Sequence, residues 1–127
     1  HTGELIIPAL EAGKLVICDR YFDSTYAYQG AARELDEDII DTLTHYATFN
    51  TVPDLTVLLD LPVDKGLARI KERSLDRLEL ENVEFHEKVR QQFLLLAKKQ
   101  PFRYLVLDGS KAPEDIHQEI LRALKLC

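Results

Sequence analysis

Three short apolar runs, each ending at an aspartate, limit the folds open to this chain. They cover residues 15–18 before Asp19, 55–59 before Asp60 and 104–107 before Asp108. The runs are continuous rather than alternating, which is typical of strands buried on both faces, as in a parallel sheet. We therefore predict three parallel strands whose carboxyl ends each carry a carboxylate.

Helical patterns lie before, between and after these runs. Strands that alternate with helices predict an α/β fold, with a parallel β-sheet and flanking helices. Start and stop signals support this reading, since caps, prolines and glycines mark helix ends. The predicted helices are 4–12, kinked at Pro8 and ended by Gly13; 23–32, capped by Asp23 or Ser24; one capped by Asp36 with Ile39, Ile40, Leu43 and Ala47 facing inward; 62–73, with Pro62 in its first turn; 83–99; and one opened by Pro113.

Composition narrows the class of protein. The 127 residues are 46% hydrophobic, which is enough for about one compact domain. The formal charge of −6 argues against a nucleic-acid binder, because phosphate contacts need a basic surface. No apolar run approaches a membrane-spanning length, so we expect no membrane association. Two cysteines make no disulfide framework, which favours a reducing, cytoplasmic setting.

The pair Asp19-Arg20 is the strongest candidate for chemistry. Ligands of open α/β sheets bind beyond the carboxyl ends of the strands, where this pair is expected. A carboxylate there can hold Mg²⁺, and a guanidinium can fork onto a phosphate. Thr25, Tyr28 and Gln29 follow at helical spacing and can share one face beside Arg20. The alternative is that Asp19 and Arg20 form a structural ion pair, with Tyr28 in the core.

The other strand ends and one basic segment are weaker candidates. Residues 69–77 contain four cations, which is typical of a loop that closes over phosphates or, alternatively, of a solvated helix face. Asp60 is expected to help begin the following helix. Residues 108–110 form a turn that either borders a bound base or is only a turn. The four histidines lack metal-ligand spacing, and no glycine-rich phosphate loop occurs in these residues.

Several segments, in this order, resemble bacterial thymidylate kinase: 7–21, 23–30, 53–60, 66–69 and 76–79. The likeness covers essentially all 127 residues and identifies 1–127 as the carboxy-terminal part of a thymidylate kinase-like domain. It implies a P-loop nucleotide kinase fold with sheet order 2-3-1-4-5. The three runs would be strands three, four and five, so the first two strands and the phosphate loop are missing from this chain. A lid is expected at about 73–80.

The resemblance also implies an activity and roles for residues. The family transfers a phosphoryl group from ATP to dTMP with Mg²⁺ and gives dTDP. Arg20 would hold the dTMP phosphate, and Asp19 would lie near the metal and the transferring group. Ser24, Thr25, Tyr28 and Gln29 would bind dTMP, with Thr25 and Gln29 facing the thymine and Tyr28 crowding the sugar 2′ position. The lid residues Arg73 and Arg77 would bind ATP and take part in catalysis. The adenine would contact Ser110, Lys111 and Ala112.

Two alternatives stay open at this point. One is a deoxynucleoside kinase of the same fold, and the other is a non-catalytic fragment that acts as an interaction module. The resemblance implies a homodimer paired through helices, and the helices that begin near Leu5 and Ile39 carry wide apolar faces that suit this pairing. We also expect the 127 residues alone to be inactive, since a strand edge without its ladder partner costs about 1–3 kcal/mol per unsatisfied group.

Overall fold

A computed structural model describes residues 1–31, 36–70 and 83–125 of the chain. These residues form two compact units, His1–Pro53 and Asp54–Cys127. The regular elements described in the first unit are all helical, and the second is an α/β unit. The prediction of one kinase-like domain over 1–127 stays a prediction.

The first unit opens with a helix of two hydrogen-bonding patterns. A π-helical segment, Thr2–Ile6, runs into helix α1, Ile7–Glu11. Pro8 lies in the first turn of α1 and has no amide hydrogen to donate, so the change of pattern falls at the predicted kink. Gly13 follows with φ 75°, the left-handed conformation that commonly ends a helix, as predicted.

The next helix begins one residue before the caps that the sequence suggests. Helix α2, Phe22–Thr25, has Tyr21 in the N-cap position and continues as a π-helical segment, Tyr26–Ala31. The expected caps Asp23 and Ser24 lie inside its first turn, and Asp23 is buried there. Neither residue therefore holds the N-cap position.

Helix α3, Glu37–Thr48, begins as predicted, but of its four predicted inner residues Ile40 alone is buried. Asp36 caps it by accepting a hydrogen bond from the Asp38 amide at 2.8 Å. Ile40, Thr44 and Thr48 are buried, because positions four apart share one face. The Thr48 hydroxyl donates to the Thr44 carbonyl at 2.8 Å, so the threonines can be buried without losing hydrogen bonds. The predicted inner residues Ile39, Leu43 and Ala47 are exposed instead.

The predicted first strand is wrong for the chain as described. Residues 14–18 have no regular secondary structure, and Leu15 and Ile17 are 67% and 86% exposed. A strand needs a neighbour for its backbone hydrogen bonds, and among the described residues no strand pairs with this segment. The strands that the resemblance places beside it are not among these residues.

The second unit confirms the other two strands and their parallel pairing. Strand β1, Thr56–Asp60, pairs with strand β2, Tyr104–Asp108, in a register that sets Asp60 opposite Asp108. Helices α4, Val63–Ile70, and α5, Val83–Lys99, connect the strands in sequence, and α6, Pro113–Ala123, follows β2. The α/β fold with a parallel sheet and flanking helices is thus confirmed, and so are the bounds predicted for α5 and the proline that opens α6.

A buried arginine, Arg103, is hydrogen-bonded at the amino-terminal end of this sheet. Arg103 is 2% exposed, and its guanidinium donates to Gln100 Oε1 at 2.5 Å and to Thr56 Oγ1 at 2.8 Å. Its carbonyl accepts from the Thr56 amide at 2.6 Å, so the turn before β2 is tied to the start of β1. Across the described part of the chain, no helix has the length and apolar character needed to cross a membrane.

Candidate functional site

Arg20 follows the apolar run 15–18 in a conformation that few side chains adopt. Its φ is 64°, in the left-handed region, which costs an L-residue about 1–2 kcal/mol. The Cys18 thiol donates to the Arg20 carbonyl at 3.3 Å, and both residues are exposed. Such strained positions cluster at functional sites, so the backbone here is consistent with a ligand-binding role.

The guanidinium of Arg20 lies over the ring of Tyr28. Its Cζ atom is 5.5 Å from the ring centroid, within the range of a cation–π interaction. Two residues predicted for one site are therefore together in the structure. Tyr28 is half-buried rather than a core residue, and Asp19 beside Arg20 is exposed.

The three residues predicted to share a helical face are not equally exposed. Thr25 ends α2 and is exposed, whereas Tyr28 and Gln29 lie half-buried in the π-helical segment. The change from α to π hydrogen bonding after Thr25 alters the angular spacing on which that prediction rested. Ser24 is half-buried, and its amide donates to the Tyr21 carbonyl at 3.1 Å. Substrate binding by these residues stays a prediction.

Two tyrosines that sequence reasoning missed hold this helical segment in place. The Tyr26 hydroxyl donates a short hydrogen bond to Asp41 of α3. Burial first, and then this bond, raise the pKa of Tyr26 to about 12. Tyr21 Oη and Thr2 Oγ1 lie 3.1 Å apart and share a hydrogen bond. No local sequence signal points to these partners, because they lie 15 and 19 residues apart.

In the second unit, the carboxylate at the end of β1 has a partner that was not foreseen. Arg90 of α5 donates from Nε to Asp60 Oδ1 at 2.8 Å and from Nη2 to Asp60 Oδ2 at 3.2 Å. These bonds raise the pKa of Arg90 above its usual value. Asp60 was expected to help begin α4, but its carboxylate joins β1 to α5 instead.

The turn after β2 is held from two sides. The Gly109 amide donates to the Asp60 carbonyl at 2.7 Å, and the Gly109 carbonyl accepts from Arg69 Nη1 at 3.1 Å. Asp108 Oδ1 accepts from the Ser110 amide at 2.9 Å and from its hydroxyl at 2.6 Å. These bonds lower the pKa of Asp108 below its usual value. The turn is a fixed feature of the carboxyl edge of the sheet.

The residues predicted to border adenine follow this turn. Ser110, Lys111 and Ala112 are exposed, and Ala112 is the N-cap of α6. Lys111 Nζ lies 2.9 Å from Glu119 Oε1, and this contact raises the pKa of Lys111. The lysine is therefore held against α6, and its contact with ATP stays a prediction.

Comparison with known proteins identifies the family. Residues 1–120 match the family model for thymidylate kinase. The chain belongs to the thymidylate kinase family. It is 54% identical over 121 residues to the thymidylate kinase of Carboxydothermus hydrogenoformans, covering 94% of this chain and 59% of that protein. It is 50% identical to that of Cutibacterium acnes over 120 residues, which cover 94% of this chain and 58% of that protein.

A solved structure gives the same result. The crystal structure of thymidylate kinase from Ehrlichia chaffeensis matches with a TM-score of 0.72 and 31% identity, covering 98% of this chain and 56% of that chain. The chain thus spans somewhat more than half the length of the thymidylate kinases it matches. The fold prediction of P-loop kinase type is borne out by this structural neighbour.

The predicted lid and its two arginines, Arg73 and Arg77, lie outside the described residues, as does the whole range 73–80. The chain before the lid is described as far as the end of α4, where Arg69 contacts Gly109.

A magnesium ion fits the chemistry of Asp19. Mg²⁺ at kinase sites is held by one or two carboxylates together with waters and substrate phosphates, not by a cage of protein ligands. Asp19 offers one exposed carboxylate next to a phosphate-binding candidate. In the three described ranges, no group of three or more His, Cys, Asp or Glu side chains could hold a metal, so a phosphate ligand would have to complete the site.

Proposed function

We propose that the full-length protein carrying this chain phosphorylates dTMP to dTDP with ATP and Mg²⁺. The observation that carries this proposal is the placement of Arg20, an exposed guanidinium over Tyr28 in a chain of the thymidylate kinase family. An exposed guanidinium in a strained turn suits the fork-shaped recognition of a phosphate. The proposed product is the diphosphate needed for dTTP synthesis.

The chain's residues divide the work between two substrates. We assign the dTMP phosphate to Arg20, the thymine to Thr25 and Gln29, and the 2′ side of the sugar to Tyr28, with Ser24 nearby. The base of ATP borders 110–112, and the lid residues Arg73 and Arg77 neutralise the charge that develops on the transferring phosphoryl. Phosphoryl transfer depends on positioning and charge neutralisation more than on covalent chemistry, so this set of residues is appropriate. Bound Mg²⁺, held in part by Asp19, would add further neutralisation of the phosphates.

The assignment of Arg20 is tested by replacement in the full-length protein. We expect Arg20→Ala to weaken dTMP binding about 10–100-fold, since a hydrogen bond to a charged group contributes about 1.5–3 kcal/mol. Titration calorimetry with dTMP measures this change directly. Lys14→Ala removes another exposed cation nearby in the sequence and serves as the control. Unchanged dTMP affinity in Arg20→Ala would remove Arg20 from the site.

Substrate class is tested by turnover of the full-length protein with ATP. We expect dTMP to be phosphorylated faster than thymidine or any other nucleoside monophosphate. Faster turnover of thymidine would instead indicate a deoxynucleoside kinase. No turnover of any nucleotide would favour an interaction module.

We further propose a cytoplasmic homodimer. Leu5 and the α3 residues Ile39, Leu43 and Tyr46 are 58–84% exposed, and large exposed apolar patches are typical of protein–protein contacts. Light scattering of the full-length protein measures the mass, and a monomer would contradict this proposal.

A further inference from the structure

Asp60, Arg69 and Arg90 hold the turn at Gly109 through a chain of hydrogen bonds, and we call this arrangement the Gly109 clamp. Asp60 contributes its carbonyl to the Gly109 amide, and Arg69 donates to the Gly109 carbonyl. Arg90 grips the Asp60 carboxylate through two hydrogen bonds. The amide of Gly109 is thereby bonded to β1 and its carbonyl to α4. Helix α5 is connected to the turn indirectly, through Asp60.

The clamp leaves no space around Gly109. The residue is buried, and a Cβ atom added there would lie 3.1 Å from the Asp60 carbonyl oxygen and 3.4 Å from Leu61 Cβ. The first of these distances is tighter than most Cβ contacts and the second is at the limit of ordinary contact, so the turn lies directly on the end of β1. A shift in the backbone of Asp60 would be transmitted to Gly109 and to the exposed residues 110–112 that follow.

Arg90 is suited to fix that backbone. Its planar fork meets both carboxylate oxygens of Asp60, and the two side chains are only 28% and 26% exposed, so solvent screens the pair incompletely. Glu87, one turn earlier on α5, lies 3.8 Å from the same guanidinium and adds a second, weaker attraction. A lysine could supply the charge but not the two parallel bonds.

We propose that Arg90 is a positioning residue for the adenine of ATP, acting through Asp60 on the Gly109 turn. The inference rests on the proposed function, which places the ATP base against 110–112. Arg90 touches no substrate in this proposal, and its effect on ATP follows from the geometry of the turn. Its effect on dTMP should be small, since the clamp residues all belong to the second unit and the dTMP residues to the first.

The test compares three variants of the full-length protein. Arg90→Gln removes the fork, Arg90→Lys keeps the charge alone, and Lys88→Gln removes an exposed cation of the same helix as the control. We expect Arg90→Gln to raise KM for ATP about tenfold, because the turn that borders the base is no longer held in place, with KM for dTMP changed less than about twofold. Arg90→Lys should be intermediate, and Lys88→Gln should equal the wild type.

A ligand without a base separates positioning from general loss of structure. Inorganic triphosphate should inhibit wild type and Arg90→Gln with the same inhibition constant, since it has no base to contact residues 110–112. Gly109→Ala, which displaces the turn without touching Arg90, should reproduce the ATP-specific loss even where Arg90→Gln fails to fold. Equal losses for ATP, dTMP and triphosphate, or an unchanged KM for ATP, would overturn the inference.

Direct titration with ATP separates this inference from the proposed function. A wild-type protein that binds ATP but does not phosphorylate dTMP would refute the proposed function alone, and weaker ATP binding by Arg90→Gln would still support the inference. A wild-type protein that binds no ATP would overturn both.

Discussion

At the scale of single residues, the exposed Arg20 combines an unfavourable backbone conformation with a side chain placed for ligand binding. Its φ of 64° is unfavourable for any residue with a Cβ atom, and Gly13 is the other described position before residue 49 with a positive φ. This strained backbone places the Arg20 guanidinium over the ring of Tyr28. Stability and ligand binding therefore make opposite demands at this position.

This conflict predicts the order of two variants. The free energy of unfolding should be about 0.5–1 kcal/mol larger for Arg20→Gly than for Arg20→Ala. Glycine avoids the penalty of about 1–2 kcal/mol for the left-handed conformation, and its greater loss of chain entropy on folding offsets part of this gain. Urea denaturation of the full-length variants measures the difference. Lys14 has no positive φ, so Lys14→Gly should be less stable than Lys14→Ala. An alanine variant at position 20 as stable as the glycine variant would contradict the argument.

At the scale of elements, the bond between Tyr26 and Asp41 joins the segment that carries Tyr28 and Gln29 to α3. The neutral phenol is the form that donates this bond, and burial also favours it. The folded pKa of about 12 therefore lies above the ordinary value of 10.0. By linkage, this stabilisation is complete below pH 10 and is lost as the pH rises from 10 through about 12.

We therefore expect the free energy of unfolding to fall more steeply between pH 10 and about 12 in the wild type than in Tyr26→Phe. The phenylalanine variant cannot titrate at this position and lacks the bond at every pH. Tyr46→Phe, at a position 84% exposed, should retain the wild-type slope. Parallel pH curves for the wild type and Tyr26→Phe would show that the bond does not contribute to stability.

At the scale of the whole molecule, two similar apolar runs differ in secondary structure: one forms a strand and the other does not. Residues 55–59 are almost all in β1, which has a parallel neighbour in β2, whereas 15–18 have none among the described residues. A strand is stable only when its amides and carbonyls are paired, so equal hydrophobicity does not ensure equal structure. The first run is expected to need strands that the resemblance places before it.

Amide hydrogen exchange followed by mass spectrometry tests this difference. In the 127-residue chain, the amides of β1 and β2 should exchange far more slowly than those of 15–17, because only the former lie in a hydrogen-bonded ladder. In the full-length protein, the same 15–17 segment should become protected. Protection of this segment in the short chain would show that it finds another partner.

Local signals in the sequence were sufficient for much of the second unit. The bounds of α5, the proline at the start of α6 and the two strands that end at Asp60 and Asp108 were all predicted from spacing, caps and apolar continuity. The candidate pair Arg20 and Tyr28 was also found in this way, and the structure brings its two side chains together. Such features depend on neighbours within a few residues, which is the range that sequence patterns cover.

Tertiary structure alone decided the pairings between distant residues. Arg90 meets Asp60 across 30 positions, Arg69 meets Gly109 across 40, and Tyr26 meets Asp41 across 15. It also decided that Thr44 and Thr48, rather than Leu43, face inward on α3. These outcomes depend on which elements pack together, and the energy of a long-range contact is set by geometry that neither partner's local sequence contains.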